Sequence, residues 1–253
     1  MKKNSIALLS SMMSISGWSA CTYNFDATQK QISSTSDFSG LEKFPSIVNQ
    51  KTSFTIKENI DSLGFIAANG DHLTNKGKGV EVPKEGIFAY EYKIKVPTEL
   101  LNDREAMTMY PNFADAYYDG GKDQIIVMYL NHLIGSTTPN KIGFGLGVFS
   151  QESPQAIELP VTNTSDGYQN IGIYINQNTN QIGFIYNGVN KGYLTNTPSK
   201  ITNLAFQNSM GYGGFKPNSP HIGKTYSIEL ITDASKMKFS YPTGTTDICG
   251  SMI

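Results

Sequence analysis

The stretch IGIYINQNTNQIGFIYNGVNKGYL, residues 171–194, spells three short antiparallel strands joined by two turns. Ile171, Ile173 and Ile175 alternate with Gly172, Tyr174 and Asn176, while Ile182, Phe184 and Tyr186 alternate with Gly183, Ile185 and Asn187. An apolar side chain at every second position marks a half-buried strand. Residues 177–180 are polar and Asn-rich, as a connector is, and Asn187-Gly188 is a pair that accepts positive φ at both centres of a type I′ turn. A meander of an antiparallel sheet follows.

Outward from this meander, strand signals recur at residues 53–57, 64–68, 86–96, 124–130, 141–149, 201–207, 225–231 and 237–241. In the second half of 86–96, Phe88, Tyr90, Tyr92, Ile94 and Val96 line one side, and Ala89, Glu91, Lys93 and Lys95 the other, so one side packs and the other is expected to be wet. Residues 125–130 are continuously apolar, which predicts a central strand buried on both faces. Residues 22–44 read as polar surface chain, with Tyr23 and Phe25 offering an edge strand. One short helix is expected, over residues 98–106, following Pro97 with Thr98 as its cap. So many strands with so little helix predict an all-β fold, a two-sheet antiparallel jelly-roll sandwich with at most one short helix.

The strand IGFGLGV at 142–148, followed by IGIYI at 171–175 and IGFIYNG at 182–188, resembles the strand order of concanavalin A-like and SPRY-type sandwiches. The likeness covers about a third of the chain and implies the sandwich fold. The whole chain, with CTYNFDATQ at 21–29, is also similar to an uncharacterised exported-protein family of gammaproteobacteria, a domain of unknown function. That resemblance implies export and no activity.

Met1-Lys2-Lys3, an apolar run at 6–15 and Gly17-Trp18-Ser19-Ala20 before Cys21 follow the charged, apolar, small-residue order of a bacterial secretory signal. The apolar part is too short to span a bilayer and stay. Residues 1–20 are therefore expected to be a signal peptide and residues 21–253 a single β-sandwich domain, periplasmic or secreted from a gram-negative cell. Two readings of Cys21 stand. In one it pairs with Cys249, the only other cysteine, in a disulfide that ties the chain ends together. In the other Cys21 is lipidated and the protein is an outer-membrane lipoprotein, although Trp18 stands where such signals carry a modest aliphatic residue.

Outside the leader no apolar run reaches transmembrane length. Loss of Lys2 and Lys3 would take the formal charge from −1 to −3, and Arg104 is the sole arginine. This surface argues against nucleic acid, which needs clustered basic residues. Enzyme signatures are hard to find. The acid string of sandwich-fold glucanases and the strings of the polysaccharide lyases are absent, and Glu91 and Glu229 read as isolated solvated-face acids. His72, His132 and His221 lack metal-ligand spacing, so no metal or cofactor is expected; calcium has no loop pattern to hold it.

Recognition is expected to fall on loops. Residues 115–123, DAYYDGGKD, offer Tyr117, Tyr118 and Asp119 to a sugar ring or a cation; His132 stands at a strand end; residues 210–215 present Tyr212. Each also reads as scaffold: a polar turn, a satisfied strand-end residue and core rings between glycines. Gly143, Gly145 and Gly147 leave one strand face bare, against which chain or ligand must pack. The sole tryptophan, Trp18, lies in the leader, so a glycan site would lean on tyrosine. The expected function is an exported, non-enzymatic sandwich that binds an unidentified glycan or protein ligand. A lectin-like module is the first alternative, a polysaccharide hydrolase or lyase the next, and a structural envelope component the last.

Overall fold

The computed structural model describes residues 21–132, 140–147 and 157–253; the expected signal peptide and the end of the 141–149 strand lie outside them. Seventeen strands among the described residues, numbered in chain order, form two facing sheets. The front sheet runs β1 (Glu42–Lys43), β4 (Leu63–Ala68), β15 (Gln207–Gly213), β7 (Ala106–Tyr118), β8 (Gly121–Asn131), β9 (Lys141–Leu146) and β10 (Ile157–Pro160). Beside β7 lies β14 (Asn203–Ala205), which also pairs β5 (Val80–Glu81). The back sheet runs β13 (Val189–Asn196), β12 (Gln181–Tyr186), β11 (Tyr168–Asn176), β6 (Ile87–Lys95), β16 (Thr225–Ile231), β3 (Lys51–Thr55) and β2 (Ser46–Val48). A last strand, β17 (Thr245–Asp247), pairs the start of β6 in parallel. The protein is thus all-β, an antiparallel-rich jelly-roll sandwich.

The meander is β11, β12 and β13, with Asn187 (φ 47°) and Gly188 (φ 83°) in the turn between the last two. Ile171, Ile173, Ile175, Ile182 and Phe184 point into the space between the sheets, where Phe184 stacks on Phe144 at 4.6 Å between ring centroids. A polar network lies inside that space: the Tyr92 hydroxyl donates to Asn112 Oδ1, and Asn112 Nδ2 donates to the Tyr90 hydroxyl and the Ile125 carbonyl. Such pairing avoids the cost of a buried orphan polar group.

Each sheet also has an outer face, and chain covers part of both. Over the front sheet lie two helices, α1 (Gln29–Ser34) and α2 (Gly70–Leu73), whose Ile32 and Leu73 pack on Ile66 and Ala68 of β4. The helices lie where surface chain is expected, at α1, and where no helix is expected, at α2. A reciprocal capping box between Thr28 and Gln31 starts α1. Residues 98–106 are not helical. Arg104 takes φ 78°, and Asn131 and Asn140 side chains satisfy the backbone there, bonding Leu101 N and the carbonyls of Pro97, Thr98 and Glu99.

Over the back sheet lies residues 237–241, a strap rather than the expected strand. It follows a 3-10 turn at Ala234–Lys236 and sets Phe239 and Tyr241 against Ala89, Tyr174 and Ile185. Glu91 is therefore not a solvated-face acid; it is 3% exposed. Tyr23 and Phe25 form no edge strand and enter the core, with Tyr23 edge-on to Phe206 at 5.1 Å. Residues 201–207 break at Phe206 into the end of β14 and the start of β15. Cys21 and Cys249 form a disulfide across 228 residues, which joins the segment leading to α1 with the segment following the strap. The Cys21 sulfur that a thioether-linked lipid would need is in that bond.

Candidate functional site

The thirteen-residue β7 builds the outer face of the front sheet. Its register against β8 shifts between Met109 and Asn112, so Tyr110 and Pro111 stand opposite a single partner residue. A β-bulge of this kind bends a strand and re-aims side chains. Here Met107, Met109, Ala114 and Ala116 enter the core, while Tyr110 and Phe113 meet edge-on outside it, 6.2 Å apart.

Beside Tyr110 is a cleft of about 420 Å³, lined by Leu41, Ser62, Thr108, Tyr110 and Ser209, with glycines of β4 and β15 among them. Gly64 is roofed by Leu41, whose Cδ2 would lie 2.5 Å from an added Cβ. Gly211 is open: an added Cβ would meet only the Leu63 carbonyl, at 3.8 Å. A strand glycine with free space above it lets a ligand approach the backbone closely. Burial raises the Tyr110 hydroxyl above its ordinary value, which keeps it a protonated donor. The lining therefore offers hydroxyls, a ring and a bare backbone, and holds no carboxylate, imidazole or thiol among the described residues.

Further along the same face, Asp115 gathers three donors. Lys122 Nζ lies 2.6 Å from Oδ2, His72 Nε2 lies 3.4 Å from Oδ2, and Gln124 Nε2 donates to Oδ1 at 3.2 Å. Pairing of β7 with β8 sets Asp115 opposite Gln124 and Tyr117 opposite Lys122, and α2 lowers His72 onto them. Burial pushes the Asp115 carboxyl up, but the His72 bond and the bond and charge of Lys122 outweigh it and hold the group below its ordinary value. Tyr117 completes the cluster. Its hydroxyl is 3.4 Å from His72 Nδ1, and Lys78 and Lys122 place their ammonium groups 5.8 and 5.7 Å from its ring centroid.

The other expected site residues are scattered. Residues 115–123 are strand rather than loop, apart from the turn at Asp119-Gly120 that joins β7 to β8. Tyr118 donates to Asp123 Oδ2 at 3.2 Å across that hairpin, and Asp119 is exposed at its tip. Tyr212 is not on a loop. It lies in β15, 2% exposed, with its ring 5.8 Å from that of Phe54, so the glycines of 211–214 separate core rings. His132 follows β8 with φ 55°; it is buried, and among the described residues its Nε2 has no hydrogen-bond partner. On the bare strand face, a Cβ added at Gly143 would lie 3.5 Å from the Met128 methyl, and one added at Gly147 would meet nothing within 4 Å.

Tyr110, Thr108, Ser209 and Gly211 escape a reading of the sequence because Pro111 interrupts the alternation of β7. The pairs Met107/Met109 and Ala114/Ala116, out of phase across Pro111, are the signal that marks a bulged strand. His221 is internal: its Nδ1 is 2.7 Å from the Tyr226 hydroxyl, and burial lowers its pKa. Among the described residues the one metal-like cluster is Cys21, Asp247 and Cys249. Both sulfurs are spent in the disulfide, and the Asp247 carboxylate accepts the amides of Ala234, Cys249 and Ser251. That set fits a structural clasp and not a metal.

The sandwich is similar to several solved structures. Laminarinase from Flavobacterium sp. UMI-01 has 12% identity and a TM-score of 0.45, covering 74% of this chain and 79% of that one. A legume lectin-like domain from Entamoeba histolytica has 13% identity and a TM-score of 0.40, covering 74% and 87%. Alginate lyase Aly36B has 13% identity and a TM-score of 0.37, covering 85% and 91%. Likeness at this level carries no argument about activity. No curated relative matches the chain. The model of a family described as a domain of unknown function (DUF4882) matches residues 1–109 and 150–251, and the chain belongs to that family.

Proposed function

We propose that this DUF4882 protein is an exported, non-catalytic binding module that takes a neutral glycan across the outer face of its front sheet. The observation that carries the reading is the cleft floored by the open Gly211. Its hydroxyls from Ser62, Thr108, Tyr110 and Ser209 match the donors and acceptors of a sugar, and the Tyr110 ring offers a stacking surface. The absence of a carboxylate from the described lining fits binding without acid–base chemistry and without calcium. The site so placed is a sheet face, whereas Tyr117, Tyr118 and Asp119 lie toward the β7–β8 turn, and Tyr212 lies beneath.

Export is supported by the leader-like order of residues 1–20 and by the disulfide, which persists in oxidising compartments such as the periplasm. No helix among the described residues is long and apolar enough to cross a membrane. A second reading, a glycan hydrolase or lyase, is favoured only by the His72–Asp115 contact.

A glycan array with mature protein, run with and without calcium, tests the proposal, using Gly211→Val as the comparison. Wild type should bind neutral glycans equally in both buffers. Gly211→Val should bind at least tenfold more weakly with an unchanged melting temperature. No binding to any glycan, or equal binding by the variant, refutes the reading, and release of reducing ends from a bound glycan supports the enzyme instead.

A further inference from the structure

Four places in the chain set an asparagine or aspartate before a glycine: Asn69-Gly70, Asp119-Gly120, Asp166-Gly167 and Asn187-Gly188. In such a pair the glycine amide nitrogen can attack the side-chain carbonyl carbon and close a five-membered imide, because glycine has no Cβ to restrict the approach. Closure needs a side chain that can turn and an amide not held elsewhere. Three of the pairs fail a condition. Asn69 caps α2: its Oδ1 accepts the His72 amide at 3.1 Å, and both its Nδ2 and the Gly70 amide donate to Asp26 Oδ1, at 3.3 and 2.8 Å. Asp166 accepts the Tyr168 amide at 3.1 Å and meets Lys93 Nζ at 3.2 Å, while the Gly167 amide donates to the Thr164 carbonyl at 3.1 Å. Asn187 is held at both side-chain atoms. Its Oδ1 accepts the Asn170 amide at 2.7 Å, and its Nδ2 donates to Thr162 Oγ1 and Gln169 Oε1 at 2.8 and 2.9 Å.

The pair at the tip of the β7–β8 hairpin meets both conditions. Asp119 and Gly120 are exposed, and among the described residues no hydrogen bond or ion pair engages the Asp119 carboxyl group or the Gly120 amide. Gly120 takes φ 93°, and a Cβ added to it would meet nothing within 4 Å. We propose that Asp119-Gly120 is a spontaneous modification site, at which the chain isomerises to an isoaspartyl linkage and opens the closed end of the hairpin. The Gly120 nitrogen bonds to Asp119 Cγ, and its proton leaves with the carboxyl hydroxyl as water. Water then adds at the Asp119 backbone carbonyl, the bond from that carbon to the Gly120 nitrogen breaks, and the chain continues through Cγ with its mass unchanged. One extra backbone carbon then lies in a two-residue turn. Because turn length sets hairpin register, the pairing of Tyr118 with Gly121 is lost. This chemistry is independent of glycan binding at the Gly211 cleft.

The test ages the disulfide-bonded mature protein at neutral pH beside free peptides of residues 115–123 and 184–192, until half of the first peptide has converted. Isoaspartate is read with an isoaspartate-specific methyltransferase and by fragmentation mass spectrometry, and loss of ammonia from the asparagine pairs by the gain in mass. Between the peptides the asparagine pair should convert faster, since a carboxylate must take a proton before it can lose water. In the folded protein the order should invert, with isoaspartate at Asp119 accumulating at least tenfold faster than conversion at Asn69, Asp166 or Asn187. Asp119→Glu, which would have to close a six-membered ring, should lose the signal and keep the melting temperature. Converted protein, separated from unconverted, should exchange its amides over residues 117–122 at least tenfold faster. No isoaspartate at Asp119, faster conversion at any of the other three pairs, a signal that survives Asp119→Glu, or equal exchange overturns the proposal.

Discussion

The two outer faces use glycine in opposite ways. On the back sheet the glycines are filled by the protein's own rings: an added Cβ at Gly183 would lie 2.0 Å from the Tyr174 ring, and one at Gly172 would lie 2.7 Å from that of Phe239. On the front sheet Gly211 lies under open space. The acids differ in the same sense. Asp115 on the front sheet sits between a lysine and a histidine, whereas Glu91 on the back sheet takes its hydrogen bonds from two amides and a hydroxyl, and Lys238 acts on it through charge alone. One face is closed by chain and bonds its acid to neutral donors; the other bonds its acid to ionisable side chains and leaves space. The chain spends strap residues to finish the back sheet and two short helices that stop short of the Gly211 cleft on the front.

The largest effect expected is on what the two covers share. Cys21 begins the segment that leads to α1, and Cys249 follows the strap, so the bridge anchors both. Removing it, by reduction or by the Cys21→Ser/Cys249→Ser pair, should cost up to about 5 kcal/mol on the chain-entropy model of a long closed loop. Guanidinium unfolding with and without reductant reads this directly. Hydrogen exchange should then show faster opening at both Ile32 and Phe239. Loss of protection at only one of them would break the idea of a common anchor.

The glycines come next. Gly183→Ala drives a methyl group into the Tyr174 ring and should destabilise by about 1–3 kcal/mol, as overpacking does. Gly211→Ala, with ordinary clearance to the Leu63 carbonyl, should stay within about 0.5 kcal/mol of wild type, as surface changes do. Equal losses in thermal unfolding would erase the contrast between a filled face and an open one.

That contrast also separates what is legible in the sequence from what is not. Residues 171–194 are legible because their signals are local: strict alternation, and an Asn-Gly pair whose backbone demand is met in place. The alternation at 237–241 is equally clear and misleads. Phe239 and Tyr241 alternate because one side of the strap lies on the back sheet, and no ladder is needed to produce the period. Glu91 reads as solvated because its neighbours on the strand are lysines; its cover comes from a strap 147 residues away. Tyr212 and the rings beside it carry turn-like glycines, yet Gly213 and Gly214 are required by close backbone approach to Asp61 and Arg104. The front cleft is hidden in sequence because a bulge, not a motif, makes it. The disulfide alone could be paired from sequence, there being only two cysteines.

The two electrostatic substitutions should act in opposite directions. Asp115→Asn removes a carboxylate that Lys122 and His72 both use, and should cost about 1–3 kcal/mol at neutral pH, the range for hydrogen bonds to charged groups. Glu91→Gln keeps an acceptor for the strap amides and discards a desolvated charge, so it should be neutral or stabilising by up to about 1 kcal/mol. The pH dependence follows from the same difference. Burial raises the Glu91 carboxyl above 4.5 in the folded protein, although the bonds from Phe239, Lys238 and Tyr241 oppose it. Its contribution to stability is therefore fully present below pH 4.5 and declines as pH rises through the raised folded value. Asp115 behaves inversely: the lysine and histidine bonds hold it below 3.8, so its contribution is present above that pH and is lost as pH falls through the lowered folded value. Between neutrality and pH 4.5, hydrogen exchange at Phe239 should slow relative to that at Gln124 once the intrinsic pH effect is removed. In Glu91→Gln that relative slowing should vanish, whereas in Asp115→Asn it should persist. A slowing that survives Glu91→Gln would mean that the strap is held by something other than this carboxylate, and the two faces would no longer differ by their charge.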